Sequence, residues 1–382
     1  MEKVIIFTWY KSINYGTCLQ AYALYYKLKE MGYDVRLSET TEYKTIITLT
    51  DTVRRLCKKL FKRNTVEGSG IILPESMEKQ YEIRRRKMYS FSENHINFYK
   101  IQNKSDFKKM NDENDIFITG SDQIWNPYYL SVACLLKFVS DNKKKISYAT
   151  SVGVSSIPND LKKVYKKNLS RFDSLSVREE TAAELLTEVV GREIEVVADP
   201  TFLLSKEALT NIASEDNADA VKATNGEKFI CCYFIGANQD WVKAVKKLSE
   251  QTGCKVINAM TESRIIPDVG KSYAHFGMSD FLWLIKNATY VCTDSFHCTA
   301  LSVNMEKEFF VFKRFLDTDT NSQNSRLYSL LKRFDLDERL VTNDDNINEK
   351  AKREINYSAV TKKLKEIESQ SEDYLKASLT KQ

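Results

Sequence analysis

The sequence predicts an α/β protein made of two Rossmann-like domains with a closing C-terminal helix. Three observations carry this expectation. Short apolar runs alternate with segments of helical period, the pattern of a parallel sheet with crossover helices. The alternation stops at the polar stretch 206–226 and then restarts. The strand-like runs also end repeatedly in small polar residues, as expected where a cleft lies beyond the carboxyl edge of a doubly wound sheet.

A chain of 382 residues is long enough for two cores of ordinary size. With 42% hydrophobic and 29% charged residues, and only 12 Gly and 5 Pro, it has the composition of a globular protein rather than a disordered one. A net charge of +5 is too weak to imply nucleic acid, and none is expected as a partner. The eight cysteines have no CxxC or finger-like spacing, and Cys231, Cys232 and Cys292 lie within apolar runs. They read as reduced, buried thiols of a cytoplasmic protein. The apolar run at the N-terminus is too short for a signal peptide, and no stretch reaches the length of a membrane span.

Residues 3–9 form a buried-type strand, 14–17 a turn, and 18–31 a helix with Leu19, Tyr22, Ala23, Tyr26 and Leu28 on its apolar side. Gly32 closes this helix, and a second strand begins at 33–37. Residues of about 45–110 are helical in propensity and strongly basic, an insertion in the first domain. In the cluster at 54–63, Leu56, Leu60 and Phe61 interleave with the charges, and 84–87 is a second basic run. They suit either a solvated helix face or a peripheral contact with an anionic membrane surface. Strands follow at 115–119, ending in Gly120-Ser121-Asp122-Gln123, and at 145–150. A helix at 161–172 leads to a strand at 174–177 that delivers Arg178, and 194–198 is the last strand of this half.

The second half opens with a strand at 228–235, a helix at 239–252 and a strand at 255–258. The stretch on which the site is expected to centre is Thr289–Phe312. Its apolar run 289–293 breaks at Asp294-Ser295, a helical period follows through Val303, and a second apolar run ends at Phe312. In such a βαβ unit the helix N-terminus offers free N–H groups to a ligand. His297, one of only three histidines, falls in that first turn, either as a cap-region surface residue or as a functional one. A polar turn at 324–326 precedes a helix at 327–334. The amphipathic tail 359–377 is expected to pack back on the first domain. Domain limits of 1–205, 206–350 and 351–382 follow.

Six stretches together resemble the polysaccharide pyruvyl transferase family: NYGTCLQAYAL (14–24), FITGSDQIWNP (117–127), SYATSVG (147–153), SVREE (176–180), ADPTFLL (198–204) and TDSFHCTALSVNMEKEFFVF (293–312). The resemblance implies a glycosyltransferase-B-like pair of domains facing across a cleft. The implied activity is transfer of pyruvate from phosphoenolpyruvate to hydroxyls of a lipid-linked or cell-surface glycan, forming a cyclic ketal. No metal or further cofactor is implied.

On that basis His297 and Asp122 are the catalytic candidates, since proton transfer needs a group such as His that titrates near neutral pH. Arg178 and Arg326 become donor clamps, although Arg178 reads equally as a salt-bridge partner of Glu179 or Glu180. Ser295 and Phe296 join the donor site through their amides. Asn14, Tyr15, Gln20, Ser121, Gln123 and Trp125 would line the acceptor wall, with Trp125 stacking on a sugar unless it is simply buried. The family pattern has an Arg just before the motif His, where this chain has Phe296. Either a residue such as Arg326 or Lys313 supplies the missing cation, or the donor differs. Two other functions remain open: a nucleotide-sugar glycosyltransferase of the same fold, or a non-catalytic glycan-assembly scaffold.

Overall fold

The computed structural model describes residues 1–39, 75–128, 130–131, 133–236, 241–259, 269–315, 322–342 and 345–380. The first sheet contains β1 (Lys3–Phe7), β2 (Asp34–Ser38), β3 (Phe98–Tyr99), β4 (Ile116–Thr119) and β5 (Lys144–Ser147). All are parallel, in the order β3-β2-β1-β4-β5. A short parallel pair, β6 (Ser176–Val177) with β7 (Glu195–Val196), continues it through the bridges Ile146–Ser174 and Thr150–Val177.

The second sheet contains β8 (Phe229–Tyr233), β9 (Lys255–Ala259), β10 (Lys271–Tyr273), β11 (Tyr290–Thr293), β12 (Phe309–Phe312) and β13 (Leu340–Val341). Its order, β10-β9-β8-β11-β12-β13, is again fully parallel. In both sheets the first strand lies inside, with the next two on one side and the later ones on the other. The order therefore reverses at β1/β4 and at β8/β11, and a crevice opens beyond the strand ends at such points. The apolar runs of β1, β4 and β8 are buried along nearly their whole length, as sheets covered on both faces require.

The helices are α1 (Tyr15–Glu30), α2 (Glu75–His95), α3 (Lys104–Glu113), α4 (Asn159–Leu169), α5 (Glu180–Val190), α6 (Lys206–Ala213), α7 (Ala218–Thr224), α8 (Trp241–Thr252), α9 (Met278–Asn287), α10 (Phe296–Asn304), α11 (Ser325–Arg333), α12 (Ile347–Ala351) and α13 (Tyr357–Thr380). The expected polar join at 206–226 is in fact helical. Leu209, Ile212, Ala213, Ala220 and Ala223 bury one face of α6 and α7. With Ala supplying much of that face, the helical period is weak in the sequence.

The basic insertion also differs from expectation. Its cluster at 54–63 lies outside the described residues. Within the cluster at 84–87, two of the four charges face inward. Arg84 is buried with its guanidinium 4.1 Å above the Tyr15 ring. Lys87 bridges Asp219 and Asp280 at 2.8 Å each. Through Arg84 and Lys87 this part of α2 forms a seam between the two halves, while Arg86 stays exposed and Arg85 pairs with Glu82 at the surface. No described helix is long and apolar enough to cross a membrane.

One apolar core runs through both halves. Tyr15 of α1 stacks on Phe281 of α9 at 3.9 Å, and its hydroxyl donates to the Phe276 carbonyl at 2.9 Å. Phe202 meets Phe334 at 5.6 Å, and the same cluster takes in Leu19, Tyr233 and Cys298. Helix α13 closes the arrangement on the first half. Tyr374 donates to the Ser147 carbonyl at 2.8 Å, and the Ser371 hydroxyl accepts from Ala198 N at 2.9 Å.

Candidate active site

The loops after β1, β4, β8, β11 and β12 meet around a cavity of about 430 Å³. Asp294, the first residue after β11, ties two of them together by accepting from Ile235 N at 2.7 Å and Gly236 N at 2.8 Å. Burial pushes its carboxyl up from the usual range despite those two bonds. Ser295 caps α10 by accepting from Cys298 N. His297 then sits in the first helical turn with its ring in the cavity wall.

His297 comes from the second half, but its partners come from the first. Nε2 is 3.4 Å from Arg178 Nη1 and 3.4 Å from Asp199 Oδ2. Arg178 and Asp199 are themselves paired at 2.7 Å with both side chains buried. The other Asp199 oxygen accepts from the Thr201 amide at 3.0 Å and the Thr201 hydroxyl at 2.8 Å. Burial alone would raise the Asp199 carboxyl, but His297 and Arg178 outweigh it and hold the group well below the usual carboxylate range. The Arg178 guanidinium also lies 4.3 Å over the Phe296 ring and 3.6 Å from Glu179.

Facing this cluster, Asp122 adopts a left-handed backbone, with φ of 59°. Its carboxylate accepts from the Thr17 hydroxyl at 2.9 Å and the Gln123 amide at 2.8 Å. The chain can turn here because Gly120, at φ 149°, passes against the Tyr148 carbonyl. A Cβ at Gly120 would lie 1.9 Å from that oxygen.

The model of the family described as polysaccharide pyruvyl transferase matches residues 14–314, a span that runs from Asn14 on one cavity wall to Arg314 on another. The chain belongs to the polysaccharide pyruvyl transferase family. The family is one of transferases that act in polysaccharide synthesis. Among solved structures, this pyruvyl transferase family member is similar to UDP-GlcNAc 2-epimerase from Methanocaldococcus jannaschii. The two are 12% identical with a TM-score of 0.51, over 93% of this chain and 93% of that one. It is also similar to MnaA of S. aureus in a structure with UDP, at 13% identity and a TM-score of 0.50, over 99% and 97% of the two chains. At such identities the likeness concerns the fold: two Rossmann-like domains facing across a cleft in the glycosyltransferase-B manner. The comparison with curated proteins found no match.

The cavity of this pyruvyl transferase family member gathers seven of the residues expected from sequence: Asn14, Asp122, Gln123, Ser295, Phe296, His297 and Arg326. Arg178 lies directly behind His297 rather than in the wall. Four expected acceptor residues do not reach the cavity. Tyr15 is fully buried in the seam against Phe281. Gln20, also buried, donates to Thr8, Trp9 and Thr17 and accepts from Ser121 N, which makes it a strut between α1 and the β4 loop. Ser121 is buried beside Asp199. Trp125 is buried, with its indole N–H donated to the Cys134 carbonyl at 2.9 Å, so it offers no face to a sugar. The cation adjoining the cavity after β12 is Arg314, not its neighbour Lys313.

Sequence reasoning missed Asp199, Lys11 and Arg314. Asp199 had a signal, since the ADPTFLL stretch places an acid straight after a strand-like run. Lys11 and Arg314 had none, being single cations among many. Another unforeseen feature is the contact that makes NYGT intelligible. A Cβ at Gly16 would lie 2.3 Å from His297 Cγ and Nδ1, so α1 can abut the ring only through a glycine. Gly16→Ala is expected to displace His297, lower turnover at least about tenfold and cost about 1–3 kcal/mol by overpacking. Steady-state rates and denaturant midpoints of the variant would check this; turnover equal to the parent's would refute it.

Proposed function

We propose that the protein transfers the pyruvyl group of phosphoenolpyruvate to two hydroxyls of a glycan, lipid-linked or cell-surface, to form a cyclic ketal. The observation that carries this reading is the placement of His297. It stands in a helical first turn against a buried Arg178–Asp199 pair, in a cavity that also presents Lys11, Arg314 and Arg326. A donor that carries both a phosphate and a carboxylate needs several cations, and its enol carbon needs a proton donor.

In the reaction His297 gives a proton to the enol CH2 carbon, turning it into a methyl group. Cationic character develops at the neighbouring carbon, and one glycan hydroxyl adds there. Asp122 receives that hydroxyl's proton. The carbon–oxygen bond to phosphate then breaks, the second hydroxyl adds at the same carbon, and its proton leaves with inorganic phosphate. One of the two hydroxyl protons replaces the proton spent on the methyl group, so the balance closes. The cations and open helix amides around the cavity stabilise the donor's negative groups as charge moves. Because phosphoenolpyruvate is a cytosolic metabolite, this chemistry belongs in the cytoplasm.

Calorimetric titration of phosphoenolpyruvate into the full chain tests the reading, with UDP-GlcNAc as the comparison. Saturable binding of phosphoenolpyruvate, followed by phosphate release when glycan is added, is the expected result. Saturation by UDP-GlcNAc with no response to phosphoenolpyruvate would overturn it in favour of a nucleotide-sugar transferase.

A further inference from the structure

Helix α11 begins at the cavity without the usual side-chain cap. The residue before it, Asn324, is in the capping position, but its side chain serves a different purpose. Its Oδ1 accepts from the amides of Arg314 and Phe315, at 3.2 Å each, and its Nδ2 donates to the Phe315 carbonyl at 2.8 Å. Asn324 therefore ties the exit of β12 to the start of α11 and makes no side-chain bond to the helix itself. Leu327 N and Tyr328 N bond to the Asn324 carbonyl at 2.9 and 3.1 Å. The amides of Ser325 and Arg326 precede the first intrahelical bond, at the positive end of the helix.

A second observation points to the same place. Arg326 lines the cavity although it is only 9% exposed. One terminal nitrogen donates to Gln323 Oε1 at 2.5 Å, and both terminal nitrogens lie 3.1–3.2 Å from the Gln123 carboxamide. Its Nε has no hydrogen-bond partner among the described residues. A buried cationic donor left unmatched is costly unless a ligand completes it. Burial first, and then the neighbouring Arg178 and Arg314, push Arg326 down to about 10, so it stays charged at neutral pH in surroundings that are short of anion. The nearby carboxylates are already engaged, Asp122 with Thr17 and Gln123, and Glu179 with Ser151 and Arg178.

We propose that the start of α11, together with Arg326 and Arg314, is a subsite for a phosphate monoester. A planar guanidinium fork combined with open helix amides matches the several oxygens of a phosphate dianion. Assigning that phosphate to phosphoenolpyruvate rests on the reading above. It puts the leaving group on the α11 side of the cavity and leaves the proton transfer to the α10 side, where His297 stands.

The test is a titration of inorganic phosphate into the full chain, followed by calorimetry or ³¹P NMR, with phosphoenolpyruvate, pyruvate and UDP as further probes. Arg326→Gln is expected to weaken phosphate at least about tenfold and Arg314→Gln several-fold. Arg333→Gln, which removes the same charge from the far end of the same helix, where it pairs with Glu180, should leave it within about threefold. Pyruvate, having only a carboxylate, should not share the Arg326 dependence. Arg314 is only half-buried, so Arg314→Gln decides the matter if Arg326→Gln does not fold. Phosphate binding that ignores both cavity arginines, or that falls as far in Arg333→Gln, overturns the subsite. Pyruvyl transfer that persists with phosphoenolpyruvate affinity independent of Arg326 overturns the subsite but leaves the function standing. Arg326-dependent binding of phosphate and UDP, with none of phosphoenolpyruvate, keeps the subsite and removes the pyruvyl donor.

Discussion

Asp199→Asn is expected to destabilise the protein by about 3–5 kcal/mol, the typical cost of removing one partner from a buried ion pair. The substitution keeps the shape and the acceptor that Thr201 needs, but it removes the charge. Arg178 cannot escape by losing its proton, because a guanidinium stays charged in any protein environment. It would be left buried beside His297 with the imperfectly placed Glu179 and the more distant Asp122 as counter-charges. The effect carries a pH signature. Because the folded state holds the Asp199 carboxyl below its ordinary value, its contribution is fully present above the unfolded carboxylate range, near about 4. It is lost progressively as the pH falls below that range. Denaturant midpoints from pH 6 down to pH 3 should therefore decline less steeply in Asp199→Asn than in the parent. A loss under about 1 kcal/mol at neutral pH would mean that the pair is not what holds this corner.

His297→Asn should lower kcat by about 10²- to 10⁴-fold, the usual contribution of a positioned acid or base, with a smaller loss of stability than Asp199→Asn because Arg178 still faces Asp199. Asn approximates the outline of the ring and can still face Arg178 and Asp199, but it carries no proton to give. The loss should fall on kcat rather than on KM for phosphoenolpyruvate, since the anion-holding groups stay in place. Kinetics on a glycan acceptor identified by screening would decide it. A decline of less than tenfold would remove His297 from the proton-transfer step.

The elements with a strong apolar period were legible in the sequence, and most of their limits agree with the structure to within a few residues. β1, α1, β4, β8, β11 and α10 are examples, and they carry the loops that build the cavity. The short strands β3, β10 and β13 were not legible, because two or three residues cannot establish a period. Helices α6 and α7 read as a polar link because Ala served as their buried surface. Among candidate residues, several that follow an apolar strand reach the cavity, Asp122 and Gln123 after β4 and Ser295 to His297 after β11, although Ser121, nearer to β4, is buried. Those lying one helical turn or more further on, such as Gln20 and Trp125, face the interior. From sequence a buried polar side chain used as a strut looks the same as one offered to a sugar. The Arg178–Asp199–His297 cluster joins residues 119 positions apart at its widest pair, a meeting that no local pattern announces.

The apolar core that passes without a break from α1 into α9 and α10 has a mechanical consequence. In a protein whose two lobes swing apart about a hinge, each lobe is sealed by its own interior and the gap between them is wetted. Here Tyr15, Phe281 and Tyr233 would have to be pulled into water before the lobes could part. Each half also keeps an apolar core of its own, around Phe117 and Trp125 in one and Cys232 and Phe310 in the other, so parting the lobes would cost the shared rings and not the whole fold. A wide clamshell motion is thereby disfavoured, and the mouth of the cavity is the route that leaves these rings dry.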